Sequence, residues 1–338
     1  MMYLRHTFLI LGISLGSFFI LGEVGVRLFS TPHPTLYRPS LHPHLVYELD
    51  PASPGVNSLG MRDHELDPVA LHARPKIAVI GDSHTYSVDV SRVDETFPAQ
   101  LEHALHHQFG QPRVKVLNFG VPGYNMAQEL AVLQLKVLDY APQLILLQYC
   151  LNDTHVCNYL QPEYTRLHAL LYRSQFLVVL WKNLLYGPLG KQYLFDWVGA
   201  HFPDALLFQK GLIGTRKAAA DEEPTRRRHP PRSPERVPAR YHYMLGEDNW
   251  RRHVQQFAQI ARQHGIPLLA TGFVEEAERQ VLAQAGFDVY AFTDMFQGQD
   301  MRLYGYNPDD TATHVDAQGC RVIGQALAAY IAAHYQIH

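Results

Sequence analysis

The chain has 338 residues and a formal net charge of -3 at pH 7, and 47% of its residues are hydrophobic. This is ordinary globular composition with enough apolar mass for a sizeable core, and it excludes a global basic field for nucleic acid. The three cysteines are too few for a disulfide framework and lack zinc-site spacing, so a metal site is not expected. No other cofactor is predicted. One pair could be bridged, and Cys157 with Cys320 is the candidate.

The first thirty residues contain a long apolar segment. Residues 7–22 carry no charge, Glu23 interrupts them, and apolar residues continue on either side of Arg27. With both charges reaching toward lipid headgroups, the segment can span a bilayer, which needs about 20 residues. Because no good small-x-small cleavage site follows, residues 1–30 are predicted to be an uncleaved signal anchor; a cleaved signal and a buried helix are the alternatives. The expected location is the inner membrane, as a single-pass protein whose body faces the periplasmic or extracellular side.

Residues 31–75 are rich in proline and histidine, which favours an extended tether. Within them, NSLGMRD at 57–63 is predicted to form a turn or a short hairpin. The main domain is expected to begin at residue 76 and to continue to residue 338.

From residue 76 onward, apolar runs and helical periodicities alternate. This rhythm is typical of a parallel sheet covered by helices on both faces, with its sites beyond the carboxyl ends of the strands. Strands are predicted at 76–81, 114–120, 143–150, 266–273 and 287–292, and helices at 97–110, 126–140, 249–265, 275–286 and 317–335.

The alternation breaks at about 154–248, which is interpreted as a helical insertion. Residues 167–187 are strongly apolar but carry Arg173 and Lys182. This pattern favours an amphipathic helix on the body or on a membrane surface over a second membrane span. Proline and mixed charge at 216–240 predict an irregular loop.

Polar residues and glycines follow the predicted strands at one edge of the sheet. Ser83 lies in Gly-Asp-Ser after the first strand of the domain, Gly123 lies in VPGYN after the second, and Asn152 follows the third. His314 precedes the last helix. Acyl transfer needs such a set, namely a nucleophile, a base that takes its proton, and donors aimed at the developing oxyanion.

In their order, these four segments resemble the four blocks of the SGNH, or GDSL-type, hydrolase family, over roughly 76–154 and 245–335. The segment ending in EVGVRL, followed by NSLGMRD, is similar to a membrane-anchored bacterial branch of that family. The resemblance implies a flavodoxin-like three-layer α/β/α domain. It also implies that Ser83 is the nucleophile and His314 the base, with the Ser83 and Gly123 amides and the Asn152 side chain as the oxyanion hole.

The chain departs from the family pattern at two positions. Cys150 stands where the family usually has glycine, and Thr311 stands where it usually has the third member of the triad. Asp310, one residue earlier, is the expected triad acid; Asp309 or no carboxylate at all are the alternatives.

The implied function is that of a serine esterase which hydrolyses acyl esters, O-acetyl esters among them, through an acyl-enzyme on Ser83. The expected partners are an ester substrate, carried by a glycan or a lipid, and the membrane. One alternative is an O-acyltransferase that moves the acyl group to an envelope glycan. The other is a non-catalytic, anchored binding protein on the same fold.

Overall fold

The computed structural model describes residues 2–29, 36–157, 174, 176, 237–296, 298–307 and 313–337, which belong to two compact units. The first unit contains helix α1, Met2–Phe29. In this unit Glu23 accepts hydrogen bonds from the Ser174 hydroxyl at 2.7 Å and the Phe176 amide at 2.9 Å.

Within the described part of the chain, no helix is both long enough and apolar enough to cross a membrane. The predicted transmembrane helix is therefore not confirmed, and the predicted location stays a prediction. Most of the predicted insertion, including almost all of 167–187 and 216–240, lies outside the described residues.

In the second unit, residues 36–75 are folded and do not form an extended tether. Strands β1, Tyr37–Pro39, and β2, Tyr47–Leu49, pair in antiparallel fashion, and a short helix α2 covers Pro68–His72. Leu45, Val46 and Leu49 are buried in the domain, which the composition alone does not reveal, whereas Leu41 is exposed. The Tyr124 hydroxyl donates to the backbone oxygen of Tyr47, so this segment is fixed to the sheet domain.

The NSLGMRD stretch forms turns, and it holds a buried arginine. The Asn57 side-chain oxygen accepts from the Met61 amide at 3.0 Å, which closes the turn. The Arg62 guanidinium donates to the Tyr86 hydroxyl at 3.1 Å and to the Val90 carbonyl at 2.6 Å, and it lies 4.4 Å from the Tyr86 ring centroid. The arginine therefore fixes the chain segment from Tyr86 to Val90.

The domain is built on a parallel sheet of five strands in the order β4-β3-β5-β6-β7. This is the predicted flavodoxin-like order, in which the chain passes from β3 to β4 at one edge and then returns past β3 to β5. The last predicted strand is shortened to two residues, and a short helix α8, Phe292–Met295, begins at its last predicted residue. The strands are β3, Lys76–Gly81; β4, Lys115–Gly120; β5, Leu144–Tyr149; β6, Leu268–Gly272; and β7, Asp288–Val289.

Helices cover the two faces of the sheet. Helix α3, Ser83–Tyr86, follows β3 directly. Helices α4 and α9 pack together on one side, and α5, α6 and α7 pack together in the other layer. Because strand side chains alternate, Ile77 and Val79 belong to the core beneath α4 and α9. The long helices are α4, Phe97–Gln108; α5, Met126–Leu135; α6, Glu247–Gln263; α7, Glu276–Ala285; and α9, Ala317–His334.

None of the three cysteines forms a disulfide in the structure, so the predicted Cys157–Cys320 bridge is wrong. Cys320 lies in the core beneath α4 and α9, and its sulfur is 3.7 Å from the Ser87 hydroxyl. Cys157 follows the 3-10 turn after β5. The two thiols thus belong to different elements and meet different neighbours.

The end of β4 touches the backbone of α3 at a glycine. A Cβ on Gly120 would lie 2.7 Å from the backbone carbon of Thr85 and closer still to the Tyr86 nitrogen. Backbone atoms cannot turn aside as a flexible side chain does, so α3 sits this close to β4 only because residue 120 has no side chain.

We expect Gly120→Ala to lower the free energy of unfolding at or beyond the upper end of the roughly 1–3 kcal/mol that overpacking costs. Gly110→Ala is the matched control, since Gly110 has open space around it but a positive φ of 66°. It should lose only about 1 kcal/mol from left-handed strain. Urea unfolding of both variants measures the difference, and equal losses would contradict the close contact.

Candidate active site

Ser83 lies at the carboxyl end of β3, beside the point where the strand order reverses. It is the first residue of α3, and Asp82 caps that helix by accepting from the His84 amide at 3.0 Å. The Gln148 side-chain oxygen on β5 accepts from the Thr85 hydroxyl at 3.0 Å and from its amide at 3.2 Å. Hydrogen bonds from a neighbouring strand therefore fix the turn that presents Ser83.

The structure brings Ser83 and His314 together across 231 positions of sequence. The distance between His314 Nε2 and Ser83 Oγ is 2.8 Å, which is hydrogen-bond distance. His314 lies just before α9, whose first turn is capped by the Asp316 carboxylate. The imidazole side chain is 16% exposed, so it is largely shielded from solvent.

Burial lowers the pKa of His314 from its ordinary value, and the nearby carboxylates of Asp82 and Asp89 act in the opposite direction. The lowered pKa keeps the imidazole neutral at pH 7. A neutral Nε2 is able to accept the hydroxyl proton of Ser83, as a general base must.

Gly123 and Asn152 lie on the loops that follow β4 and β5. Gly123 has a φ of 79°, which a residue with a Cβ rarely adopts. Among the described residues, neither its amide nor that of Ser83 donates to any acceptor. The Asn152 Nδ2 donates to the Tyr124 carbonyl at 2.9 Å, and the Asn152 side chain also hydrogen-bonds to the Asp82 carboxyl group.

The predicted triad acid, Asp310, lies outside the described residues, as do Asp309 and Thr311. A carboxylate absent from the sequence-based site, Asp89, has its Oδ2 at 3.9 Å from His314 Nδ1. The available signal was its position six residues after Ser83, in the same segment. Because Asp89 is far from His314 in sequence, an inspection of the residues just before His314 does not reveal it.

His84 is a buried residue that lines the site. Its ring centroid is 4.6 Å from that of His314 and 5.1 Å from that of Phe273. Burial, and the nearby His314, lower the pKa of His84 well below its ordinary value. His84 therefore stays neutral, and a proton that enters this pair of imidazoles resides on His314.

Behind the site lie three buried carboxyl groups, those of Asp82, Glu129 and Asp153. Burial raises the pKa of each, and repulsion from Asp82 adds to the effect for the other two. Asp153 accepts from the Cys150 amide at 3.3 Å and so ties its loop together. Neither carboxyl oxygen of Glu129 has a hydrogen-bond partner among the residues that the structure describes.

Cys150, which stands in place of the usual glycine, faces this same acidic surrounding. Burial, together with Asp82 and Asp153, raises the pKa of its thiol well above the ordinary value. A thiol that keeps its proton is a poor nucleophile. Cys150 therefore does not compete with Ser83 as a nucleophile.

Residues 79–322 match the family described as GDSL-like Lipase/Acylhydrolase. The chain belongs to this family. It is therefore an ester hydrolase, as the four sequence blocks predicted. The family match does not show whether the chain belongs to a membrane-anchored branch of the family.

Solved structures of similar proteins include the lipase/acylhydrolase from Enterococcus faecalis, at 11% identity and a TM-score of 0.42, with 78% of this chain and 98% of that chain covered. They also include a catalytic mutant of Axe2, an acetylxylan esterase from Geobacillus stearothermophilus, at 10% identity and a TM-score of 0.41, with 78% and 95% covered. None of the curated proteins matches the chain.

The buried carboxyl group of Glu129 predicts a pH-dependent stability. The native chain holds a proton that the unfolded chain releases above about pH 4.3, so the free energy of unfolding falls as pH rises from there toward the raised pKa. The slope contributed by one such group is at most about 1.36 kcal/mol per pH unit. We expect Glu129→Gln to remove this slope, so that the variant gains stability relative to the native sequence between pH 5 and pH 8.

Urea unfolding at several pH values measures this gain. Glu276→Gln, on the exposed surface of α7, is the control for loss of a carboxylate as such. A difference between Glu129→Gln and the unmodified chain that stays constant with pH would contradict the prediction.

Proposed function

We propose that the protein is a serine esterase that hydrolyses acyl esters, O-acetyl esters among them, through an acyl-enzyme on Ser83. The observation that carries the proposal is the 2.8 Å distance between Ser83 Oγ and His314 Nε2, at the carboxyl edge of the sheet. A weak nucleophile such as a serine hydroxyl needs an adjacent base within this reach.

In the first half-reaction, Ser83 Oγ attacks the ester carbonyl carbon while its proton passes to His314 Nε2. The tetrahedral intermediate collapses, the ester C–O bond breaks, and the imidazolium gives its proton to the departing alkoxide. In the second half-reaction, water attacks the acyl-enzyme and gives its proton to His314. The Ser83 oxygen recovers that proton as it leaves, and the free acid is released.

The negative charge on the tetrahedral oxygen needs donors that are already oriented. The amides of Ser83 and Gly123 fit this role because neither is engaged by another described residue. Asn152 is the third donor, and its Nδ2 turns to the oxyanion from one of its two present acceptors, the Tyr124 carbonyl or the Asp82 carboxyl group. Loss of one such donor costs about 2.7–4 kcal/mol of transition-state stabilisation.

The carrier of the ester is proposed to be a glycan or a lipid of the cell envelope, with the site outside the cytoplasm. This part of the proposal rests on the uncharged segment 7–22 and on the resemblance to a membrane-anchored branch.

A burst assay on the full-length chain with p-nitrophenyl acetate and longer acyl esters tests the acyl-enzyme. We expect a burst of p-nitrophenol equal to the enzyme concentration, and its loss in Ser83→Ala, because no other described nucleophile faces His314 Nε2. His314→Ala should lose the burst as well. Ser58→Ala, an exposed serine bonded to Glu65, should keep it.

Folded protein without a burst, and with no difference between the native chain and Ser83→Ala, would favour a non-catalytic binding protein. Steady turnover in water after the burst indicates hydrolysis. A stalled acyl-enzyme that is released only by an added glycan would indicate acyl transfer instead.

The lowered pKa of His314 predicts the acid limb of the pH profile. Activity should fall as pH drops through this pKa, because a protonated imidazole cannot accept the Ser83 proton. We expect the apparent pKa of kcat/KM to lie below the ordinary histidine value of about 6.5. A limb centred above that value would contradict the burial of the imidazole as the dominant influence.

A further inference from the structure

We propose that Asp89 is a positioning residue that holds the His314 imidazole with Nε2 toward Ser83. This inference rests on the proposed function, since it concerns how the base of that reaction is oriented. It assigns a role to a carboxylate that comes from the nucleophile's own segment rather than from the segment before His314.

The two ring nitrogens of His314 face opposite partners. Nε2 is 2.8 Å from Ser83 Oγ, and Nδ1 is 3.9 Å from Asp89 Oδ2. Serine, imidazole and carboxylate therefore follow one another in the order that a hydrolytic triad requires. A carboxylate on the Nδ1 side favours the tautomer with the proton on Nδ1, which leaves the Nε2 lone pair free for the serine proton.

The backbone on both sides of Asp89 is fixed. Ser87 adopts a left-handed conformation with a φ of 61°, and the Val90 amide donates to the Ser87 carbonyl at 3.1 Å. The Arg62 guanidinium donates to the Val90 carbonyl at 2.6 Å. The Val88 amide donates to the Ser83 carbonyl at 3.2 Å, which ties this turn to the nucleophile.

The other groups that face the imidazole cannot take this role. Asp82 is buried beside Ser83, with Oδ2 at 3.4 Å from Ser83 Oγ and Oδ1 used by the His84 amide. His84 lies against the ring of His314 and has no carboxylate to offer. Asp89 is thus the charged group described on the Nδ1 side, and it raises the pKa of His314 while burial lowers it.

The exposure of Asp89 sets the size of its effect. Its side chain is 58% exposed, so solvent weakens its attraction to the imidazolium compared with a buried triad acid. We therefore expect a smaller loss than the roughly 10⁴-fold drop in kcat known for removal of a buried acid.

The test compares Asp89→Asn with Asp94→Asn in the full-length chain. Asp94 has the same 58% side-chain exposure and pairs with His64 and Arg92 instead of with His314. Asp89→Asn should lower kcat about 10-fold or more with little change in KM. Asp89→Asn should also move the acid limb of kcat/KM to lower pH, because a group that raises the His314 pKa is lost. Asp94→Asn should change neither kcat nor the position of the acid limb. Asp89→Glu should restore part of both effects.

A second readout does not depend on turnover. Nitrogen NMR of the His314 ring should show the Nδ1-protonated tautomer in the native chain. It should show a lower pKa with a larger share of the Nε2-protonated tautomer in Asp89→Asn. If the native chain shows no Ser83-dependent turnover, the proposed function fails, while the NMR result still decides the orientation of His314.

An unchanged His314 tautomer and pKa in Asp89→Asn, with kcat within about twofold of the native chain, would overturn the inference. The same losses appearing instead in Asp310→Asn or Asp309→Asn would assign the acid to the segment before His314.

Discussion

The site depends on the close contacts that α3, at the end of β3, makes with the neighbouring strands β4 and β5. Gly120 lets the end of β4 touch α3, and Gln148 on β5 holds Thr85 from the other side. The turn that carries Ser83 is thereby held between its two neighbouring strands. A parallel sheet places the carboxyl ends of these three strands at one edge. The segments that carry Gly123 and Asn152 therefore lie beside Ser83.

The sequence was sufficient for the sheet and for the pairing of Ser83 with His314. Alternation of apolar strands and amphipathic helices is a local pattern, and the order of the blocks along such a scaffold places their residues at one edge. The periodicity of the elements and the order of the blocks can both be read directly along the chain. The strand at 287–292 was predicted too long because Phe292 is as apolar in the helix it begins as in a strand.

What the sequence did not reveal depends on contacts between distant segments. Proline and histidine around residues 31–75 suggested a tether, yet Leu45, Leu49 and Met61 in this segment are buried. Asp89 could not be assigned because its relation to His314 arises only from the left-handed turn at Ser87. The burial of Glu129 is equally invisible in sequence, since a glutamate is almost never fully buried without a paired charge.

The folded segment 36–75 has a consequence for how this domain can be divided or inherited. The family match begins at residue 79, but Arg62 lies upstream of that point and its guanidinium holds the carbonyl of Val90 next to Asp89. A chain that began at β3 would keep every block of the family signature but lose the hydrogen bond from Arg62 to the Val90 carbonyl. The smallest unit that can be exchanged between proteins with its site geometry intact is therefore larger than the recognisable signature, and it starts near residue 36.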